Sequence, residues 1–232
     1  MPPNDEKRPY DARIDPNNVL DLLSHDIGNV AQTIMARLDM IDAGGDGRIV
    51  EIAKEVEAMH RMVKNVRIAY HAATHPFTPA DLDLFTVLGS SAEKARRMSG
   101  DGRMELDIGP ARNDVAVKAD GMIVDMFAEL MLNSIQFAGP AMARITVRAE
   151  RTGHGLLIVY EDLSPICDLQ RVEMSASRMI RLASDNDFHG SGTGLMMVGA
   201  LVHRYGGHVR FENRSKGDPR SGLRTVIELP GM

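Results

Sequence analysis

From residue 49 to residue 73 the apolar side chains Ile49, Ile52, Val56, Met59, Val63, Val66, Tyr70 and Ala73 step by 3, 4, 3, 4, 3, 4 and 3. Only an α-helix stacks positions spaced this way into one stripe, so a helix is expected over about 48–73. Gly44-Gly45-Asp46-Gly47 stands just before it and breaks any helix that arrives there. Upstream, Leu20, Ile27, Ile34 and Ile41 recur every seven positions, with Leu23 and Val30 between them and Ala31 and Leu38 widening the stripe. A second helix is expected over 17–43, capped by Asn17 or Asn18 after Pro16. Two such helices on a short turn form an antiparallel hairpin. Burying one Leu or Ile is worth about 1.5–3 kcal/mol, and a lone hairpin leaves much of its seam wet. A homodimer closing a four-helix bundle is therefore expected.

His75-Pro76-Phe77-Thr78-Pro79 interrupts the helical pattern and divides a hairpin at 16–75 from a second unit at 80–232; residues 1–15 have the polar composition of a disordered leader. The second unit mixes periods. Helices are expected over 83–98 and from a cap at Asp120 to residue 138, with another after Gly194. Strands are expected over 104–108, 115–117, 143–150, 156–161, 208–213 and 223–229. The fold class is α+β: a helical hairpin followed by an α/β sandwich with a mixed sheet.

Composition narrows the function. Across 232 residues, 27 Lys+Arg face 32 Asp+Glu, a net charge of −5 that argues against nucleic acid or an anionic membrane as partner. The 16 Met with no Trp and ten Phe+Tyr point to a core of flexible side chains. The single Cys167 excludes an internal disulfide, the start of the chain lacks an apolar signal segment, and no apolar run approaches the length of a membrane span. A cytoplasmic protein is expected.

Three constellations could carry chemistry. Ser24-His25-Asp26, with Asn29 one turn later, lies on the first helix opposite its seam. A surface histidine is ordinarily just solvated; beside a carboxylate that holds its tautomer, a neutral imidazole is also a nucleophile toward phosphorus. Gly190-Ser191-Gly192-Thr193-Gly194-Leu195 runs into an apolar helix. It is either a plain flexible turn or a backbone cradle for phosphate oxygens, and it is neither a Walker loop nor a dinucleotide fingerprint. Glu129 and Asn133 stand four apart on one helix face, an ordinary surface pair or a carboxylate and an amide that could serve a nucleotide-bound Mg²⁺.

The order of these motifs resembles the two-component sensor histidine kinases. Ser24-His25-Asp26-Ile27-x-Asn29 resembles their phosphoacceptor box, Glu129-Leu130-Met131-Leu132-Asn133-Ser134-Ile135 their Asn box, and Gly190 to Leu195 followed by Val202-His203-Arg204-Tyr205-Gly206-Gly207 their second glycine box. The resemblance covers about 17–230. It implies a dimerisation and phosphotransfer hairpin, then a Bergerat-type ATP-binding domain. His25 would be the phosphoacceptor, Asp26 its base and Asn29 a group used in phosphatase chemistry. Glu129 would orient the site and Asn133 would hold Mg²⁺. Asp162 would accept from the adenine amino group, and Gly190, Gly192, Thr193, Gly194 and Leu195 would surround the phosphates. ATP and Mg²⁺ are the implied cofactors. The implied partners are a response-regulator receiver domain, a second copy of the chain and, because only about 15 polar residues precede the hairpin, a separate sensor protein.

The sequence also departs from that pattern. The family's first glycine box, Asp-x-Gly-x-Gly, is replaced by Asp162-Leu163-Ser164-Pro165-Ile166, which keeps the Asp and neither glycine. Gln136 stands where the Asn box usually has Lys, and Gly28 and Val30 replace the usual Arg and Pro of the phosphoacceptor box. A phosphotransfer or scaffold protein with a non-working nucleotide domain is the alternative expectation.

Overall fold

The computed structural model describes residues 27, 31–34, 47–100, 103–109, 115–163, 193–215 and 218–231. Residue 27 and residues 31–34 are helical. The rest of the expected first helix, the leader, most of the glycine turn at 44–47 and the segment 164–192 lie outside the described residues.

Helix α1 spans Gly47–Thr74, close to the expected bounds. Strand β1 (Ala80–Asp83) then leads into helix α2 (Leu84–Ser99). Asp83 ends the strand and caps the helix, accepting from the Thr86 backbone N–H at 2.7 Å, and Gly100 closes the helix with φ 74°. Strands β2 (Met104–Ile108) and β3 (Ala116–Ala119) precede helix α3 (Ile123–Ala138). Strands β4 (Ala143–Thr152) and β5 (Gly155–Asp162) form a hairpin; helix α4 (Thr193–Arg204) and strands β6 (His208–Ser215) and β7 (Asp218–Pro230) complete the described chain.

Five strands form a mixed sheet in the order β2-β4-β5-β7-β6, where β2 runs parallel to β4 and the other pairs are antiparallel. The expected sandwich is present. Alternation along β5 sets its two faces: Leu156, Ile158, Tyr160 and Asp162 are buried, while Leu157, Val159 and Glu161 are half-buried. The inner face meets α3, which is buried nearly all round through Ile123, Met126, Phe127, Leu130 and Met131. Helices α2 and α4 flank α3.

Two expectations need correction. Strand β1 lies where no strand was expected; it pairs antiparallel with β3, a non-local contact that the local sequence Ala80-Asp81-Leu82-Asp83 does not announce. Asp120 does not cap α3 directly. Its carboxylate accepts from Met122 N–H at 3.0 Å, one turn ahead of the helix, and also receives Arg204 Nε at 2.9 Å and the Tyr205 hydroxyl at 2.9 Å.

Of the expected stripe on α1 only Val66 is buried; the buried face is a neighbouring one. Met62, Asn65, Val66, Ala69 and Ala72 are buried, and the C-terminal half of the helix packs on α4. Ile49, Val56, Val63 and Tyr70 are exposed. Arg204, whose side chain is 4% exposed, fastens the junction by donating to the carbonyls of Ala72, His75 and Pro76 while pairing with Asp120. Among the described residues, no helix is long and apolar enough to cross a membrane.

Candidate functional site

The candidate residues on described elements converge where the end of β5, helix α3 and the start of α4 meet. Asp162 is the last residue of β5 and is 5% exposed. Strand alternation turns its side chain to the same face as Tyr160, toward α3. There Ser134 Oγ lies 2.5 Å from Asp162 Oδ2 and 2.7 Å from the Tyr160 hydroxyl. Behind Asp162, Gly222 has φ 108°, and a Cβ on it would stand 1.9 Å from the Asp162 carbonyl oxygen. Only glycine lets β7 approach that closely.

Asn133, next to Ser134 on α3, is half-buried. Four residues earlier, Glu129 is buried, and Asn65 of α1 hydrogen-bonds its carboxyl group. Burial pushes the Glu129 carboxyl above the usual glutamate range, against the opposing pull of Arg61, the Asn65 hydrogen bond and Lys64. At the start of α4, Thr193 and Gly194 are buried and Leu195 is half-buried. A Cβ on Gly194 would sit 2.2 Å from Glu129 Oε1, so the described close approach at this glycine is to Glu129. Gly190 and Gly192 lie outside the described residues, as do His25, Asp26 and Asn29. The structure thus brings Glu129, Asn133, Asp162, Thr193, Gly194 and Leu195 into one region.

A cavity of about 330 Å³ also borders Asp162, lined by Glu105, Asp107, Arg144, Glu161 and Arg214. These side chains belong to the outer face of the sheet, away from α3, where Arg144 and Arg214 are paired with Glu105 and Glu161.

Sequence reasoning missed Ser134, Tyr160 and Asn65. A weak signal was available for each. Ser134 directly follows Asn133 on the same helix, Tyr160 is two residues before Asp162 on a strand, and Asn65 directly precedes the seam residue Val66.

Residues 119–231 match the family of histidine kinase-, DNA gyrase B- and HSP90-like ATPases. The match contains the Asn box, Asp162 and the start of α4. Residues 119–231 are thus similar to the ATPase domains of that family. The histidine kinase/phosphatase MprB of Mycolicibacterium smegmatis is 24% identical over 187 residues, which cover 80% of this chain and 37% of that protein. MprB of Mycobacterium avium is 27% identical over 65% of this chain and 28% of its own length. The chain thus spans well under half the length of these histidine kinases. Among solved structures, the Acinetobacter baumannii histidine kinase AdeS aligns with a TM-score of 0.61 at 16% identity, covering 90% of this chain and 98% of that one. Histidine kinase ThkA, solved in complex with the response regulator TrrA, aligns with a TM-score of 0.63 at 16% identity over 90% of this chain and 60% of that one. At such identities these two structures attest the fold of a histidine kinase, helix α1 included.

Proposed function

We propose that this chain is an ATP-dependent protein-histidine kinase that phosphorylates its own His25 and passes the phosphoryl group to an aspartate of a response-regulator receiver domain. The observation that carries the proposal is the buried Asp162 facing the Asn-bearing helix α3 beside the start of α4, within an ATPase-family match and downstream of the Ser24-His25-Asp26 motif. In this assignment Asp162 accepts from the adenine amino group. The glycine-rich run from Gly190 to Leu195 takes the phosphates. The residues present fit a divalent cation through the amide carbonyl of half-buried Asn133, and bound Mg²⁺ would neutralise charge developing on the phosphates.

The chemistry at the histidine follows from its neighbours in sequence. One imidazole nitrogen of His25 attacks the γ-phosphorus of the substrate ATP, the bond to the bridging oxygen breaks, and ADP leaves. Asp26 takes the proton released by the ring. Asn29 serves phosphatase chemistry, in which water takes the phosphoryl group and inorganic phosphate leaves. Residues 16–75 are assigned to the phosphotransfer hairpin and 80–232 to ATP binding. The exposed Ile49, Val56, Val63 and Tyr70 support a homodimer, since a further helix pair would cover them. The test is incubation with γ-labelled ATP and Mg²⁺. Acid-labile label should appear on the wild type and be missing from His25→Ala; its absence from the wild type removes the kinase assignment.

One observation favours a second proposal. Both glycines of the first glycine box are absent from residues 162–166, which suits a phosphotransfer protein whose nucleotide domain no longer works. Calorimetric titration with ATP and Mg²⁺ separates the two, because only the kinase takes up nucleotide.

A further inference from the structure

We propose that Ser134, backed by Tyr160, is a positioning residue that aims the Asp162 carboxylate and thereby sets the preference for a 6-aminopurine over a 6-oxopurine. The proposal rests on the assignment of Asp162 as the base contact.

Ser134 Oγ carries one proton, and among its acceptors are Asp162 Oδ2 at 2.5 Å and the Leu130 carbonyl at 3.1 Å. The shorter, charge-assisted contact takes it. The oxygen of Ser134 then accepts from the Tyr160 hydroxyl at 2.7 Å. Tyr160 is 1% exposed, and burial followed by the nearby Asp162 charge pushes its hydroxyl well above the usual tyrosine range, so it keeps its proton and remains a donor. Hydrogen bonds therefore run in one direction, from Tyr160 to Ser134 to Asp162. All three side chains are buried.

This chain fixes more than a distance. Gly222 lets β7 run close behind the Asp162 carbonyl, and Oδ2 is held by Ser134, which limits rotation of the carboxylate. The direction of Oδ1 is limited with it. A fixed carboxylate oxygen accepts from the amino group at C6 of adenine and meets the lone pairs of an oxo group at C6 of hypoxanthine. A carboxylate free to turn has another option, because a 6-oxopurine carries a proton on N1 that it can accept. Base selectivity thus needs the orientation of Asp162 as well as its charge. A site built to hydrogen-bond a particular group discriminates strongly only while that geometry is held.

The experiment is calorimetric titration of the full chain with ADP and, separately, IDP. Wild type should prefer ADP by at least about tenfold. Ser134→Ala should weaken ADP by about five- to tenfold and leave IDP level or tighter, bringing the ratio to within about threefold. Tyr160→Phe removes the outer donor without changing volume and should shift the ratio in the same direction by less. Ser134→Thr restores the hydroxyl and should restore the preference, which loss of packing alone would not explain. If Ser134→Ala and Tyr160→Phe keep the wild-type ratio while Asp162→Ala abolishes it, the positioning role is overturned and the base contact stands. If Asp162→Ala binds ADP as wild type does, the base-contact assignment itself fails.

Discussion

Helix α1 carries two stripes on neighbouring faces, and the one its 3–4 spacing announces is largely the exposed one. Ile49, Val56, Val63 and Tyr70 recur every seven residues and stay exposed, whereas Met62, Asn65, Val66, Ala69 and Ala72 recur three or four apart and are buried. Their side chains differ little in kind. The buried stripe even includes an amide, Asn65, and the exposed one is wholly apolar or aromatic. What separates them is the surface each meets. The C-terminal half of the helix reaches α4 and joins the core beneath the sheet, while the other stripe has no counterpart among the described residues. Periodicity therefore says that a face will be covered and leaves its partner open.

The largest effect expected from probing this contrast is on the buried stripe. Ala69 is fully buried, so Ala69→Asp would place a charge in the core and should cost about 3–5 kcal/mol, read as a large fall in the thermal midpoint. A loss below 1 kcal/mol would mean that α1 does not stay on α4 in solution.

Next comes the fastening at the helix end. Arg204→Ala removes donors to three carbonyls and the partner of Asp120, and should cost about 2–4 kcal/mol. Hydrogen exchange at residues 70–77 should quicken more than in β5 or β7. Uniform quickening would contradict a local clamp.

A smaller effect is expected at Glu129, where the buried stripe reaches the site through Asn65. Because its folded carboxyl titrates above the usual glutamate value, the folded chain binds the proton more tightly than the unfolded one. Its contribution is full at pH below the unfolded value and falls as pH rises through the folded one. Between about pH 5 and pH 8, wild type should lose more thermal stability than Glu129→Gln, which has no proton to lose. Parallel curves would show that Glu129 does not titrate in that window.

The smallest effect on stability belongs to the exposed stripe. Val56 is 47% exposed, so Val56→Glu should change the stability of a single chain by less than about 0.5 kcal/mol. If two chains pair through this face, the same variant should lower the mass measured by light scattering to that of one chain. An unchanged mass would place the dimer contact elsewhere.

Much of the architecture was legible before any coordinates. Long periodic segments such as α1, and strands with clear alternation such as Leu156 to Asp162, appeared within a few residues of their expected bounds. Gly153 lies in the turn between β4 and β5, in the gap left between the two expected strands. Short elements were harder. Strand β1 exists because β3 is beside it, and Asp120 serves Arg204 and Tyr205, which follow more than eighty residues later. At the site, spacing picked out Glu129 and Asn133 and the family resemblance added Asp162, yet neither could show that Ser134 touches Asp162 or that Glu129 lies against Gly194.

By itself, the sequence determined the helical cadence of α1, the alternation of the sheet strands and the order of motifs along the chain. These are local properties, set by spacing relative to the periods of helix and strand. The tertiary structure alone decided which stripe of α1 is buried, that Tyr160 and Ser134 converge on Asp162, and that Arg204 ties residues 72–76 to Asp120. Those outcomes depend on contacts between residues from 26 to 132 positions apart, where no local period carries information and packing chooses the partner.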